Sequence, residues 1–341
     1  MPRIVGLCLA LLCFGSDFSL ATVIKARDIA FDYQVVLKDL PLASELKIWL
    51  PYLRETPFQQ IEEVRIEPAN DAIIKEERIY KNKIINFSLK SPNISEYKIN
   101  VHYKVKRYEY SKNNGTAHKI DDSAQEDLKK YLVANRLITL SPKVREIAAK
   151  VVEGKTTTLE KARAIYDYVF ENVAYDKSIP GWGLGDTERV CLLRAGNCTD
   201  FHSLFISLAR ASGIPAKFVM GVPLSKEREG EIKGYHCWAE FYEESLGWVP
   251  VDISEAWKDK AKKEYYFGNL TEDRLEFTEG RDIILEPTQQ GEPLNYFVYP
   301  YVEIDGKVFD KVNVVFKYKD LSQSQEEVRG EDKKAHRLSK K

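Results

Sequence analysis

The stretch "RAGNCTDFHSLFISLARASGIPAKF", Arg194 to Phe218, puts a cysteine where a loop gives way to a helix. Leu204, Phe205, Leu208 and Ala209 recur at helical spacing, and Gly213 followed by Pro215 closes the element, so a helix is expected from Asn197 or Cys198 to Arg210. A structural cysteine could sit anywhere on that apolar stripe; Cys198 sits at its start. First-turn N–H groups point outward unpaired and the helix dipole is positive there, so both favour a thiolate. The thiol pKa then falls from its ordinary value of about 8.5, and the same N–H groups can hold an oxyanion.

A nucleophile of this kind needs a proton partner. His102 falls on the polar face of a strand, His118 in a polar linker and His336 in a charged tail, so all three read as solvated. His202, four residues after Cys198, is a rival on the same helix side, though a helix-borne partner leaves little room for a carbonyl between the two groups. His236 fits better. In "GYHCWAEFYEESLGWVPVDIS", Gly234 to Ser254, alternation puts His236, Trp238 and Glu240 on one strand face and Cys237, Ala239 and Phe241 on the other. A turn at Ser245, Leu246 and Gly247 leads into a strand from Trp248 to Ile253, which brings Asp252 beside the imidazole. A carboxylate there fixes the ring tautomer and supports its positive charge.

Outward from this centre, the upstream chain reads as helices. Ser141 and Pro142 cap and start one, with Val144, Ile147, Ala148 and Val151 as its stripe and Gly154 as its stop. Thr157 and Glu160 form a capping box for a second, whose inner face is Ala162, Ile165, Tyr166, Val169 and Val173. Strands are expected after the cysteine helix, from Lys217 to Val222, Tyr235 to Phe241 and Trp248 to Ile253. Further upstream the period drops to two. Ile29, Phe31, Tyr33, Val35 and Leu37 alternate, as do Leu46, Ile48 and Leu50, and Tyr97 to Val105, with turns at Ser91-Pro92-Asn93 and Asn113-Asn114-Gly115. The expected class is α+β, with an N-terminal β-sandwich over 22–115, a catalytic α+β domain over 116–319 and a charged tail over 320–341.

Residues 1–21 read as a signal peptide: Arg3, an apolar run from Ile4 to Phe14, and a cleavage site after Ser19-Leu20-Ala21. Leu12 is too bulky before Cys13 for a lipid-anchor signal. The mature chain is expected to be exported to the periplasm or the extracellular space, with no integral membrane segment left. Removal of Cys8 and Cys13 leaves Cys191, Cys198 and Cys237, an odd number in an oxidising compartment. Cys191 and Cys237 read as buried thiols, and a disulfide between them stays open. The 51 basic and 52 acidic residues give a net charge of -1 and no reason to expect a nucleic-acid partner.

The segments "GNCTDFHSLFISLARASGIPAKFVMG", "GYHCWAEFY" and "GWVPVDISEA" resemble the transglutaminase-like superfamily, papain-like enzymes in which a helix-start Cys and a His and Asp on adjacent strands form a triad. The resemblance runs from about Leu137 to Gly306, and "YYFGNLTEDRLEFTEGRDI" and "LNYFVYPYVEIDG" look like the region after the triad in exported bacterial members. It implies Cys198 as nucleophile, His236 as general base and acid, and Asp252 as orienter. It also implies acyl transfer on peptide or protein amides through a thioester, ending in hydrolysis by water (a protease or amidase) or in cross-linking by a lysine amine. A scaffold that no longer catalyses is the alternative of a different class. No cofactor or metal is expected. The superfamily often adds an oxyanion donor upstream of the nucleophile, and Trp182 in "PGWGLGD" stands nearest by position; Trp238 and Glu240, on the face of His236, are expected to line the cleft, with a salt bridge the alternative for Glu240. Asp200 reads as a first-turn acid and His202 as a core or supporting residue.

Overall fold

Alternating burial builds the first part of the molecule. Ile29, Phe31, Tyr33, Val35 and Leu37 of the strand Ala26–Lys38 are each 0% exposed, and they face Leu46, Ile48, Leu50, Ile85 and Phe87 in one core. In this computed structural model the described residues are 25–42, 45–111 and 127–321. The expected signal segment, the turn at Asn113–Gly115, the boundary at 115/116 and the tail beyond Leu321 lie outside them.

Two five-stranded antiparallel sheets form the sandwich. One runs Glu229–Ile232, Val312–Asp320, Ala26–Lys38, Glu96–Tyr108, Gln59–Glu67; the other runs Lys307–Val308, Tyr301–Ile304, Glu45–Pro51, Lys83–Lys90, Ala72–Glu76. The α+β class holds, with a strand-rich N-terminal part. The division drawn from sequence puts 229–232 and 301–319 with the catalytic part, whereas these strands pair inside the sandwich sheets. The chain therefore leaves the sandwich, builds the second part and returns.

The second part is a four-stranded antiparallel sheet, Gly247–Val251, His236–Glu243, Ala216–Pro223, Arg274–Glu279, with helices on one face. Helices Pro142–Val151 and Thr158–Asn172 start where the caps predict: Ser141 accepts from Val144 N, and Thr157 and Glu160 complete the capping box. The helix Cys198–Ala211 is buried along nearly its whole length between those helices and the sheet. Phe218, Ala239 and Phe241 meet it, with Phe205 and Phe241 rings 6.2 Å apart. Trp238 and Val219 lie on the opposite face, in a separate cluster with Tyr110 and Leu270.

Candidate active site

Side chains and backbone amides together fix the start of the cysteine helix. Asn197 is the N-cap; its side chain accepts from Thr199 N at 2.9 Å, and the Asp200 carboxylate returns to Asn197 N at 2.9 Å. A cap of this kind contributes about 1 kcal/mol. Asp200 also accepts from Gly183 N at 2.7 Å and Gly185 N at 3.2 Å, which ties the preceding glycine loop to the helix. Gly196 makes room for this: a Cβ there would lie 2.1 Å from Asp200 Oδ2. Tyr235 completes the cover, accepting from Asn197 Nδ2 at 2.9 Å, and Tyr296 and Tyr299 pack against its ring. Cys198 is 2% exposed. Thr199 and Asp200 thus use their amides in the cap, which leaves the Cys198 N–H as the first-turn donor outside it.

His236 starts its strand opposite Gly221 and is buried. Its Nε2 lies 2.7 Å from Asp252 Oδ2, which leaves Nδ1 for Cys198, whose thiol lies within electrostatic reach of the ring. Asp252 differs from the sequence expectation in one respect. The strand ends at Val251, and Asp252 is the N-cap of a short helix, Ile253–Lys258, with Oδ1 accepting from Glu255 N and Ser254 Oγ at 3.1 Å. The change of element helps: the cap locks one oxygen, and the other faces the imidazole.

Two participants were not read from sequence. Arg274, on the strand at the other edge of the sheet, donates from Nη1 to Asp252 Oδ2 at 2.7 Å and is 3% exposed. It lies 22 residues from Asp252 with only its charge as a signal. Cys237 was expected to point into the core, away from His236. It does lie in the core beneath the cysteine helix, but there its thiol lies 3.7 Å from Thr199 Oγ1 and 3.8 Å from His202 Nδ1 and close enough to Cys198 to influence its ionisation. All three described thiols are free.

The electrostatics favour an ion pair. Hydrogen bonding from Cys237 and His236, with the imidazole charge, carries the Cys198 thiol well below its ordinary pKa against the opposing effect of burial. Burial alone would lower His236, but the Asp252 charge and hydrogen bond together with Cys198 raise it to about 9. Burial pushes Asp252 up and is outweighed by His236 and Arg274, so its carboxyl stays well below the usual range. Burial lifts Cys237 well above an ordinary thiol, which keeps it a donor. His202, lowered to about 4 by burial, stays neutral and accepts from Ile253 N at 3.0 Å, so it braces the Asp252 turn.

This pairing sets a pH signature. Unfolded, the histidine loses its proton near 6.5 and the thiol near 8.5; folded, the thiol ionises well below its ordinary pKa and the imidazole keeps its proton up to about 9, so the pair holds one proton between those two points. Between 6.5 and 8.5 both states hold one proton, so the pair's contribution to stability is level. Below 6.5 the unfolded chain holds two, and stability falls as acid is added. In Cys198→Ala the folded His236 keeps a proton that the unfolded chain loses above 6.5. That variant is expected to lose up to about 1.4 kcal/mol per pH unit relative to wild type as pH rises from 6.5 toward the folded His236 pKa. Urea unfolding of both proteins across this range measures the difference, and parallel curves would contradict the ion pair.

The other expectations fare unevenly. Trp238 is 0% exposed; its indole N–H donates to Glu240 Oε1 at 3.3 Å and Arg274 covers its ring, so it neither lines a cleft nor offers an oxyanion donor. The face it shares with His236 turns toward the sandwich. Glu240 takes the salt-bridge role, 3.1 Å from Lys217 Nζ. Trp182 is 41% exposed, with Lys177 Nζ 5.3 Å from its ring centroid, so it sits on the glycine loop beside a cation. Asp200 is the first-turn acid expected. His102 pairs with Asp32 on the sandwich surface. His236 borders a cavity of about 550 Å³ lined also by Arg274, Leu224, Tyr265 and Tyr266.

Residues 145–253 match the family model of the transglutaminase-like superfamily, and Cys198, His236 and Asp252 all fall within the match. The chain carries a transglutaminase-like domain. It is 34% identical over 213 residues to an uncharacterized protein of Haemophilus influenzae, covering 53% of this chain and 58% of that one. It is 24% identical to the uncharacterized protein YebA of Bacillus subtilis, covering 44% of this chain and 23% of that one. The chain thus spans less than two thirds of these curated relatives. Among solved structures, a candidate cysteine protease from Cytophaga hutchinsonii superposes with a TM-score of 0.57 at 16% identity, over 88% of this chain and 92% of that one, a likeness of fold. Among the described residues no helix is long and apolar enough to cross a membrane, and no cluster of His, Cys, Asp and Glu could hold a metal.

Proposed function

We propose that the protein is a cysteine-dependent acyl-transfer enzyme acting on peptide or protein amides, with water as the usual acceptor. The observation that carries this reading is the buried pair at 2.7 Å between His236 and Asp252, with a thiol at the start of the buried helix whose ionisation the imidazole favours. The Cys198 thiolate attacks the amide carbon, and the oxygen that gains the charge meets the Cys198 N–H and the positive end of the helix. The His236 imidazolium gives its proton to the departing amine, leaving a thioester. Water then attacks that carbon, loses a proton to His236, and the acid leaves as the thiolate re-forms. Asp252 holds the ring throughout, anchored by Arg274 and by its own cap. The N-terminal sequence supports export to the periplasm or beyond as the setting, with a protein or peptide as substrate.

Incubation of the full chain with a mixture of unfolded proteins and a tagged primary amine, read by mass spectrometry, tests the acceptor. Chain cleavage or deamidation is expected to exceed amine adducts, and Cys198→Ala is expected to give neither. A majority of amine adducts assigns cross-linking instead, and products equal in wild type and Cys198→Ala would overturn the enzyme reading.

A further inference from the structure

A second cavity, about 400 Å³, lies between the sandwich and the sheet face that bears Lys217 and Glu240. The cysteine helix covers the other face of that sheet, through Phe218 and Ala239, so this cavity and the thiol are on opposite sides. Its volume falls in the range of small-molecule sites. Phe58, Tyr110 and Trp248 supply aromatic walls, with Phe58 and Tyr110 rings 4.1 Å apart.

Charge accounting is uneven within it. Glu279 is paired with Arg54 at 3.0 Å and Lys217 at 2.8 Å, Glu276 with Arg54 at 2.8 Å, and Glu240 with Lys217 at 3.1 Å. Arg107 also lines the cavity, is 2% exposed, and has no carboxylate in salt-bridge contact among the described residues. One Nη1 bond at 3.2 Å goes to Phe58 O, while its Nε has no partner among the described residues. Burial lowers its pKa to about 10, with Arg274 adding to the fall and Glu276, Glu240 and Glu272 opposing it. A buried guanidinium left so is costly unless an anion meets it.

We propose that this cavity binds a small molecule with one carboxylate and an aromatic or branched apolar body, the carboxylate meeting Arg107. A planar guanidinium suits a carboxylate, and the three aromatic residues suit the body. The nearby Glu240, Glu276 and Glu279 disfavour a dianion, and a cation has no unpaired carboxylate among these three to meet.

Calorimetric titration of the full chain with N-acetylphenylalanine and with its uncharged amide tests this, before and after alkylation of Cys198. The acid is expected to bind one-to-one and at least about tenfold more tightly than the amide, and to do so equally after alkylation. Arg107→Gln is expected to abolish the preference for the acid, with circular dichroism checking its fold. Equal binding of acid and amide to the wild type overturns the proposal whether or not that variant folds. So does loss of binding on alkylation, a preference unchanged in a folded Arg107→Gln, or no saturable binding up to about 10 mM.

Discussion

Cys198→Ala is expected to lower amide turnover by about a million-fold, to the level left by binding and the oxyanion donors alone. The expected size follows from the way the groups act together. Without sulfur there is no thioester, and an imidazolium beside a methyl group has nothing to protonate that water attack would release. Alanine keeps the helix start intact, because the cap is made by Asn197, Asp200 and Tyr235 and not by the thiol. Turnover assayed beside circular dichroism separates lost chemistry from lost fold. Residual activity within about tenfold of wild type would move the nucleophile elsewhere.

Asp252→Asn is expected to lower turnover by about ten-thousand-fold, since an amide can present its NH2 group to the ring and favour the wrong tautomer. It also removes the charge that balances two buried cations, His236 at 2.7 Å and Arg274 at 2.7 Å. Breaking a buried pair on one side costs about 3–5 kcal/mol, so a large drop in urea midpoint should accompany the loss of activity. Arg274 is the reason for expecting the loss of stability as well. A drop in turnover with unchanged stability would mean that Arg274 is balanced by another group. Unchanged turnover would remove Asp252 from the proposed chemistry.

Local pattern made much of this molecule legible. Strand alternation, the caps at Ser141 and Thr157, and a helix beginning at Asn197 or Cys198 are all set by residues within a few positions of one another, and the structure places each of them there. The same local signals brought His236 and Asp252 to adjacent positions through one hairpin. What escaped was long-range. Val251 looked like mid-strand because the apolar run continues to Ile253, yet Asp252 caps a helix, which a carboxylate three residues before Glu255 could have signalled. Arg274 reaches Asp252 only because its strand pairs with Ala216–Pro223, a choice no local spacing encodes. The strands after Tyr301 have ordinary alternation and could join any open edge; they close the sandwich because its edges at Glu45–Pro51 and Ala26–Lys38 were left unpaired by the N-terminal strands. Strand parity also misled. Trp238 shares a face with His236, but the sheet packs that face against the sandwich, so the indole is sealed from any cleft.

The measurement that bears most directly on the central claim is the pH profile of Cys198 alkylation, mapped by mass spectrometry alongside Cys191 and Cys237, in wild type and His236→Ala. Only a thiolate reacts, so the rate reports ionisation. In wild type Cys198 is expected to react fastest of the three and to keep its rate down to about pH 6, while His236→Ala slows it there by about a hundred-fold as the thiol returns toward its ordinary pKa. A Cys198 that reacts no faster than Cys237, or whose rate at pH 6 is unchanged by His236→Ala, would contradict the ion pair and the acyl-transfer chemistry built on it.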